Sequence, residues 1–171
     1  MQKGCVFCQI VKGEKKVHII YEDKGVLVFL DEFPIAKGHT LVVFKRHCRD
    51  IMETAPEEAA KLGKIVAWIA HGIKLALGAE FIYIASLCED VRHVHFHLIP
   101  RYKKDKKGFG HFMSPRGRIE NGGELATRIE SNLPIYSEPI TDLNEITEAL
   151  LEEGGISEEE AEKIEKIIKK K

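Results

Sequence analysis

No stretch of this 171-residue chain approaches the roughly 20 consecutive apolar residues that a membrane-spanning helix needs. The opening Met1-Gln2-Lys3-Gly4-Cys5 also lacks the apolar core of a signal peptide, so a soluble, cytoplasmic protein is expected. Charge of one sign is missing too. The 26 basic residues face 27 acidic ones, which removes the global field that a nucleic acid or an anionic membrane would require. Any anionic ligand must therefore be held by local groups. Cysteine is sparse and uneven, with Cys5 and Cys8 close together and Cys48 and Cys88 apart, unlike a secreted disulfide framework. No internal repeat and no low-complexity tract is found. The length suits one catalytic domain with a short appendage.

Extended segments divided by turns are expected at 18–22, at 26–31 after Asp23-Lys24-Gly25, and at 40–45. Thr54-Ala55-Pro56-Glu57 offers an N-cap, a first-turn proline and a capping-box glutamate. Leu62, Ile65, Val66, Ile69, Ile73 and Leu77 then recur at helical spacing up to Gly78, which predicts a helix of about six turns. The pattern is extended again at 81–87 and 91–100, whereas 103–123 is basic, glycine-containing and aperiodic, and reads as a loop. Helical character returns at 124–132, at 143–153 and after the capping box Ser157-Glu158-Glu159-Glu160. The acidic start and Lys169-Lys170-Lys171 end of that last segment suit the helix dipole. A solvated arm and a partner-binding helix both fit it.

The densest chemistry lies in His93-Val94-His95-Phe96-His97. The two-residue period of a strand puts all three imidazoles on one face and the apolar residues on the other. Packing explains three such histidines poorly, because imidazole is a weak substitute for an aliphatic side chain. Two chemistries remain. Alternating histidines can hold zinc in an open catalytic site. Alternatively, a neutral imidazole attacks phosphorus and divides one hard displacement into two easier ones, with neighbouring donors holding the equatorial oxygens. His95, in the centre, is best placed for attack. Separately, Cys5 and Cys8 form a Cys-x-x-Cys whose thiolates are spaced to share one tetrahedral ion, and two more ligands are then required. A redox pair would need a βαβ context.

The stretch from His93 through Leu98-Ile99-Pro100-Arg101 resembles the signature of the histidine triad family of nucleotide hydrolases and transferases. Two further segments agree with it. Cys5-Val6-Phe7-Cys8-Gln9-Ile10 with Gly13-Glu14 is similar to the family's opening. Leu30-Asp31, Pro34, Gly38-His39-Thr40-Leu41-Val42-Val43 and Lys45-Arg46-His47 are similar to its nucleotide-binding hairpin. The resemblance implies an α+β fold with a five-stranded antiparallel sheet, one long and one or more short helices, and pairing into a homodimer. The expected division is a histidine triad domain over 1–135 and a helical extension over 136–171.

The resemblance also implies roles. His95 would be the nucleophile that becomes nucleotidylated, His97 would contact the phosphate and leaving group, and His39 would orient His95. Asp31 would bind the ribose hydroxyls, since a carboxylate accepts from two vicinal hydroxyls at once. Phe7 and Phe29 would line the base pocket. Cys5, Cys8, His47 and His93 would hold a structural zinc ion. One departure stands out: Cys88-Glu89-Asp90 replaces the Gly-Gln and Ser/Thr that many members place there. Two carboxylates repel a polyphosphate unless they face solvent, bind a cation or meet a positively charged part of the substrate. The basic stretch Lys103-Lys104-Asp105-Lys106-Lys107, with Arg116 and Arg118 beyond it, is either a solvated loop or a clamp for distal phosphates.

The expected activity is cleavage at the α-phosphate of purine nucleotide conjugates, either dinucleoside polyphosphates or nucleoside phosphoramidates. No organic cofactor, membrane or specific nucleic acid is expected as a partner. A nucleotide-binding regulatory module with negligible turnover and a zinc-dependent hydrolase are the competing readings.

Overall fold

The computed structural model describes residues 2, 4–105, 117–135 and 157. The helices expected at 143–153 and after Ser157, and residues 106–116 of the basic stretch, lie outside the described residues. The chain divides into two compact units, Met1–Pro134 and Ile135–Lys171, and the first carries everything that follows.

In chain order the elements are α1 (Val6–Val11), β1 (Ile19–Glu22), β2 (Val26–Leu30), β3 (Thr40–Phe44), a short 3-10 turn (Ile51–Glu53), α2 (Pro56–Leu77), β4 (Phe81–Ala85), β5 (His95–Arg101) and α3 (Gly122–Glu130). The strands form one antiparallel sheet in the order β1-β2-β3-β5-β4. The α+β class and five-stranded sheet expected from the resemblance are thus present.

Strands β2 and β3 are buried along their whole length because both faces of the sheet are covered. Val26, Val28, Leu30, Val42 and Phe44 pack with Leu62, Ile65, Ile69 and Ile73 of α2 and Leu125 and Ile129 of α3. The alternate residues Leu27, Phe29, Leu41 and Val43 meet Phe7 and Ile10 of α1 on the opposite face. Each such aliphatic side chain stabilises the fold by about 1.5–3 kcal/mol. Register then decides which face carries the chemistry. His95 lies opposite Val43 and His97 opposite Leu41, so both imidazoles share the α1 face, while Phe96 and Leu98 turn to α2.

Several boundaries differ from expectation for identifiable reasons. The N-cap of α2 is Ala55, whose N–H donates to Glu58 Oε2, while Thr54 is drawn back by donating its hydroxyl to Ile51 O. β5 begins at His95 because the N–H of His93 donates to Val91 O and that of Val94 to Cys48 O, bending the chain just before the ladder. Pro100 is tolerated because β3 pairs β5 only as far as Leu98, so the missing N–H costs no bond to β3. The α1 helix was not signalled: six residues are too few to show a helical period.

Candidate active site

A carbonyl only accepts, and that fixes the proton positions in the site. His95 Nδ1 lies 2.6 Å from His93 O, so Nδ1 carries the proton and Nε2 keeps its lone pair. His95 Nε2 is 3.0 Å from His97 Nε2, which must therefore be the donor. The remaining nitrogen of neutral His97, Nδ1, then accepts from His39 Nε2 at 3.0 Å. His39 Nδ1 in turn accepts from Ile35 N–H at 3.2 Å, and Asp31 Oδ2 stands 3.4 Å away. Every link agrees with its neighbours when all three imidazoles are neutral. Burial favours that state. It lowers the His95 pKa, and burial together with the nearby histidines, His95 on His39 and both His39 and His95 on His97, brings those of His39 and His97 down to about 4.

The backbone around His39 is held by Gly38, which has φ +83° and whose missing Cβ would run into Leu77. Asp31 is fixed by its own loop, its Oδ1 accepting from Phe33 N–H at 2.8 Å. The histidines open on a cleft of about 440 Å³, into which Asp31, Phe7 and Phe29 also face. Phe7 and Phe29 are almost wholly buried, and Phe7 sits edge-on to His95 at 4.8 Å between ring centroids. The structure thus makes Phe7 a support for His95 as much as a cleft wall. Sequence reasoning missed Phe33, which lines the same cleft and is 53% exposed. Its position two residues after Asp31 and just before Pro34 was the available signal. Lys15 and Leu87 also reach the cleft, without any sequence signal. Asp90 lines it as well, whereas Glu89 does not.

Beside this chain of histidines, Cys5, Cys8, His47 and His93 converge, their candidate ligand atoms all within 4.8 Å of one another. The two Nδ1 atoms are 3.2 Å apart, and the sulfur-to-nitrogen separations are 3.3, 3.4 and 3.7 Å. A tetrahedral zinc ion with ordinary bond lengths sets these edges at about 3.3 and 3.6 Å, so the donor set fits one. His93 Nε2–H donates to Phe44 O at 2.7 Å, which turns the Nδ1 lone pair toward the thiols. His93 therefore serves two clusters, with its ring in the cysteine site and its carbonyl on His95. Cys48 is buried and Cys88 half-buried, and all four cysteines are free thiols.

An α+β sheet carrying linked histidines beside an open cleft defines the histidine triad class. A HIT domain model matches residues 12–104, more than half of the chain, and the chain belongs to the histidine triad family of nucleotide-binding hydrolases and transferases. It is 33% identical over 136 residues to an HIT-like protein of Borreliella burgdorferi, covering 75% of this chain and 98% of the relative. It is 34% identical over 110 residues to the adenylylsulfatase HINT3 of Arabidopsis thaliana, covering 61% of this chain and 56% of that one. Among solved structures, a zinc-bound histidine triad protein from Mycobacterium smegmatis matches with a TM-score of 0.66 at 33% identity, covering 76% and 93% of the two chains. Among the described residues, no helix is long and apolar enough to cross a membrane.

Proposed function

We propose that this protein cleaves the α-phosphate linkage of purine nucleotide conjugates through a nucleotide covalently held on His95 Nε2. The observation that carries this reading is the hydrogen-bond order of the site, which leaves a lone pair on His95 Nε2 with the His97 Nε2–H donor 3.0 Å away. That pairs a nucleophile with a proton donor for the leaving group.

The protons balance through the same chain. His95 Nε2 bonds to phosphorus as the bond to the leaving group breaks, and the positive charge on the ring is stabilised by Nδ1–H donating to His93 O. His97 gives its Nε2 proton to the leaving group and takes one at Nδ1 from His39. The proton that His39 then needs at Nδ1, in place of its bond from Ile35, enters from solvent beside Asp31 Oδ2. In the second step water bonds to phosphorus, the bond to His95 breaks, and the water's proton travels back through His97 and His39. Asp31 also faces the cleft as the acceptor for ribose hydroxyls, with Phe7 and Phe29 on the base side. The similarity to an adenylylsulfatase supports a nucleotidyl group as the part retained.

Cys5, Cys8, His47 and His93 are assigned to a structural zinc ion, a reading supported by the fit of the donor set and by the zinc-bound relative. Bound there, zinc ties α1 to the segments that follow β3 and precede β5, which holds the His93 carbonyl under His95. The catalytic unit is assigned to 1–135 and a helical extension to 136–171, in a cytoplasmic homodimer.

The test is product analysis by chromatography after incubation with diadenosine tetraphosphate and, separately, with an adenosine phosphoramidate. AMP release by wild type and its loss of at least a thousandfold in His95→Ala are expected. Nucleotide binding without release from either substrate would instead establish the regulatory module.

A further inference from the structure

The cleft is unusual for a site that must receive phosphate: its described lining carries three carboxylates, Asp31, Glu32 and Asp90, against one ammonium, Lys15. Lys15 is taken up by Glu32 at 2.9 Å, and Arg118 adds a second pair to the same carboxylate at 2.7 Å. Asp31 is held by the Phe33 N–H and stands beside His39. Burial keeps His39 and His97 neutral. Asp90 differs from the other acids. It is exposed, and no hydrogen bond or ion pair engages it among the described residues. Arg92, two residues along, lines only the groove beyond the cleft, which Asp90 shares.

The position of Asp90 follows from what it lines. It is exposed and faces both the cleft and the groove beyond it, so it stands at the mouth, on the rim where the two meet. Leu87, 38% exposed, and Val91 flank it on the connection between β4 and β5 and give the mouth an apolar wall. A group leaving His95 toward that mouth meets a short apolar surface and then an unengaged carboxylate. A chain of phosphates is repelled there, while an alkyl chain ending in a cation fits both features.

Taking the nucleotidyl-His95 reading as given, we propose that Asp90 is a specificity-determining residue that selects nucleoside phosphoramidates whose leaving amine carries a second, positively charged end. The retained nucleotide is then set by the inner cleft and the leaving group by the Leu87–Asp90–Val91 mouth. Glu89, exposed and outside the cleft lining, takes no part in this selection.

The test compares two near-isosteric substrates, AMP joined through a P–N bond to one end of 1,4-diaminobutane and AMP joined likewise to pentylamine, with diadenosine tetraphosphate as a third. For wild type, kcat/KM for the diamine conjugate should exceed that for the alkylamine on the order of tenfold, and the tetraphosphate should be the poorest of the three. In Asp90→Asn the ratio of the two phosphoramidates should fall toward one, and in Glu89→Gln it should stay at the wild-type value. A purely structural role for Asp90 would lower both phosphoramidates alike and leave their ratio unmoved, which overturns the proposal. So would a wild-type ratio near one, or equal shifts from both variants. Failure of wild type to cleave any of the three overturns the underlying hydrolase reading as well, so the two failures are told apart.

Discussion

At the scale of single residues, the His93 carbonyl sets the site in order. It can only accept, so the proton on His95 is placed, and each further proton is placed in turn back to the Ile35 N–H. Holding these rings neutral has a cost that appears as acid sensitivity. His39 and His97 titrate near 4 in the folded chain because burial disfavours their charged forms, against about 6.5 for a free imidazole. Between those values the unfolded chain binds protons that the folded chain does not. The stability contribution is therefore complete above about pH 6.5 and is lost as pH falls toward 4. On the order of 3 kcal/mol per histidine is at stake. Thermal unfolding followed from pH 7.5 down to 4.5 should show a falling Tm, with a shallower fall in a His39→Asn, His97→Asn double variant. Equal slopes in both proteins would contradict the assignment.

At the scale of elements, β4 is one edge of the sheet. Among the described residues it pairs only with β5, and Phe81 and Ile84 on it are 46% and 50% exposed. An unpaired edge bearing apolar side chains invites another strand. In the proposed homodimer a second copy continues the sheet across β4. Ile84→Lys should convert the dimer to monomer in light scattering, with the circular dichroism of the sheet retained, and an unchanged mass would move the interface elsewhere. What the sequence made legible follows the length of each pattern. The alternation through β2 and β3 and the apolar period of α2 extend over enough residues to be read, and the ordered motifs implied the sheet. The six residues of α1 show no period. The bend that takes His93 out of β5 arises from backbone bonds to Val91 and Cys48, which leave no trace in residue type. Phe33, Lys15 and Leu87 reach the cleft from loops separated in sequence, so only the assembled sheet brings them to the histidines.

At the scale of the whole molecule, two clusters share one backbone segment. The ring of His93 belongs with Cys5, Cys8 and His47, and its carbonyl belongs with His95. The proposed zinc therefore joins the N-terminal helix to the chemistry through a single residue. Purified protein is expected to contain one zinc per chain by elemental analysis. Cys8→Ser should lower both the metal content and Tm by several degrees, as expected when a bound ion contributes to folding. Wild-type Tm unaffected by a strong chelator that strips all metal would contradict a structural role.

The central claim is that the nucleotide is carried on His95 Nε2, and the most direct measurement is intact-mass spectrometry of enzyme quenched during turnover of an adenosine phosphoramidate. The account predicts wild-type protein gaining the mass of one adenylyl group, mapped by peptide sequencing to His95 and absent from His95→Ala. An adduct on any other residue, or rapid turnover with no adduct at the earliest quench times, would contradict it.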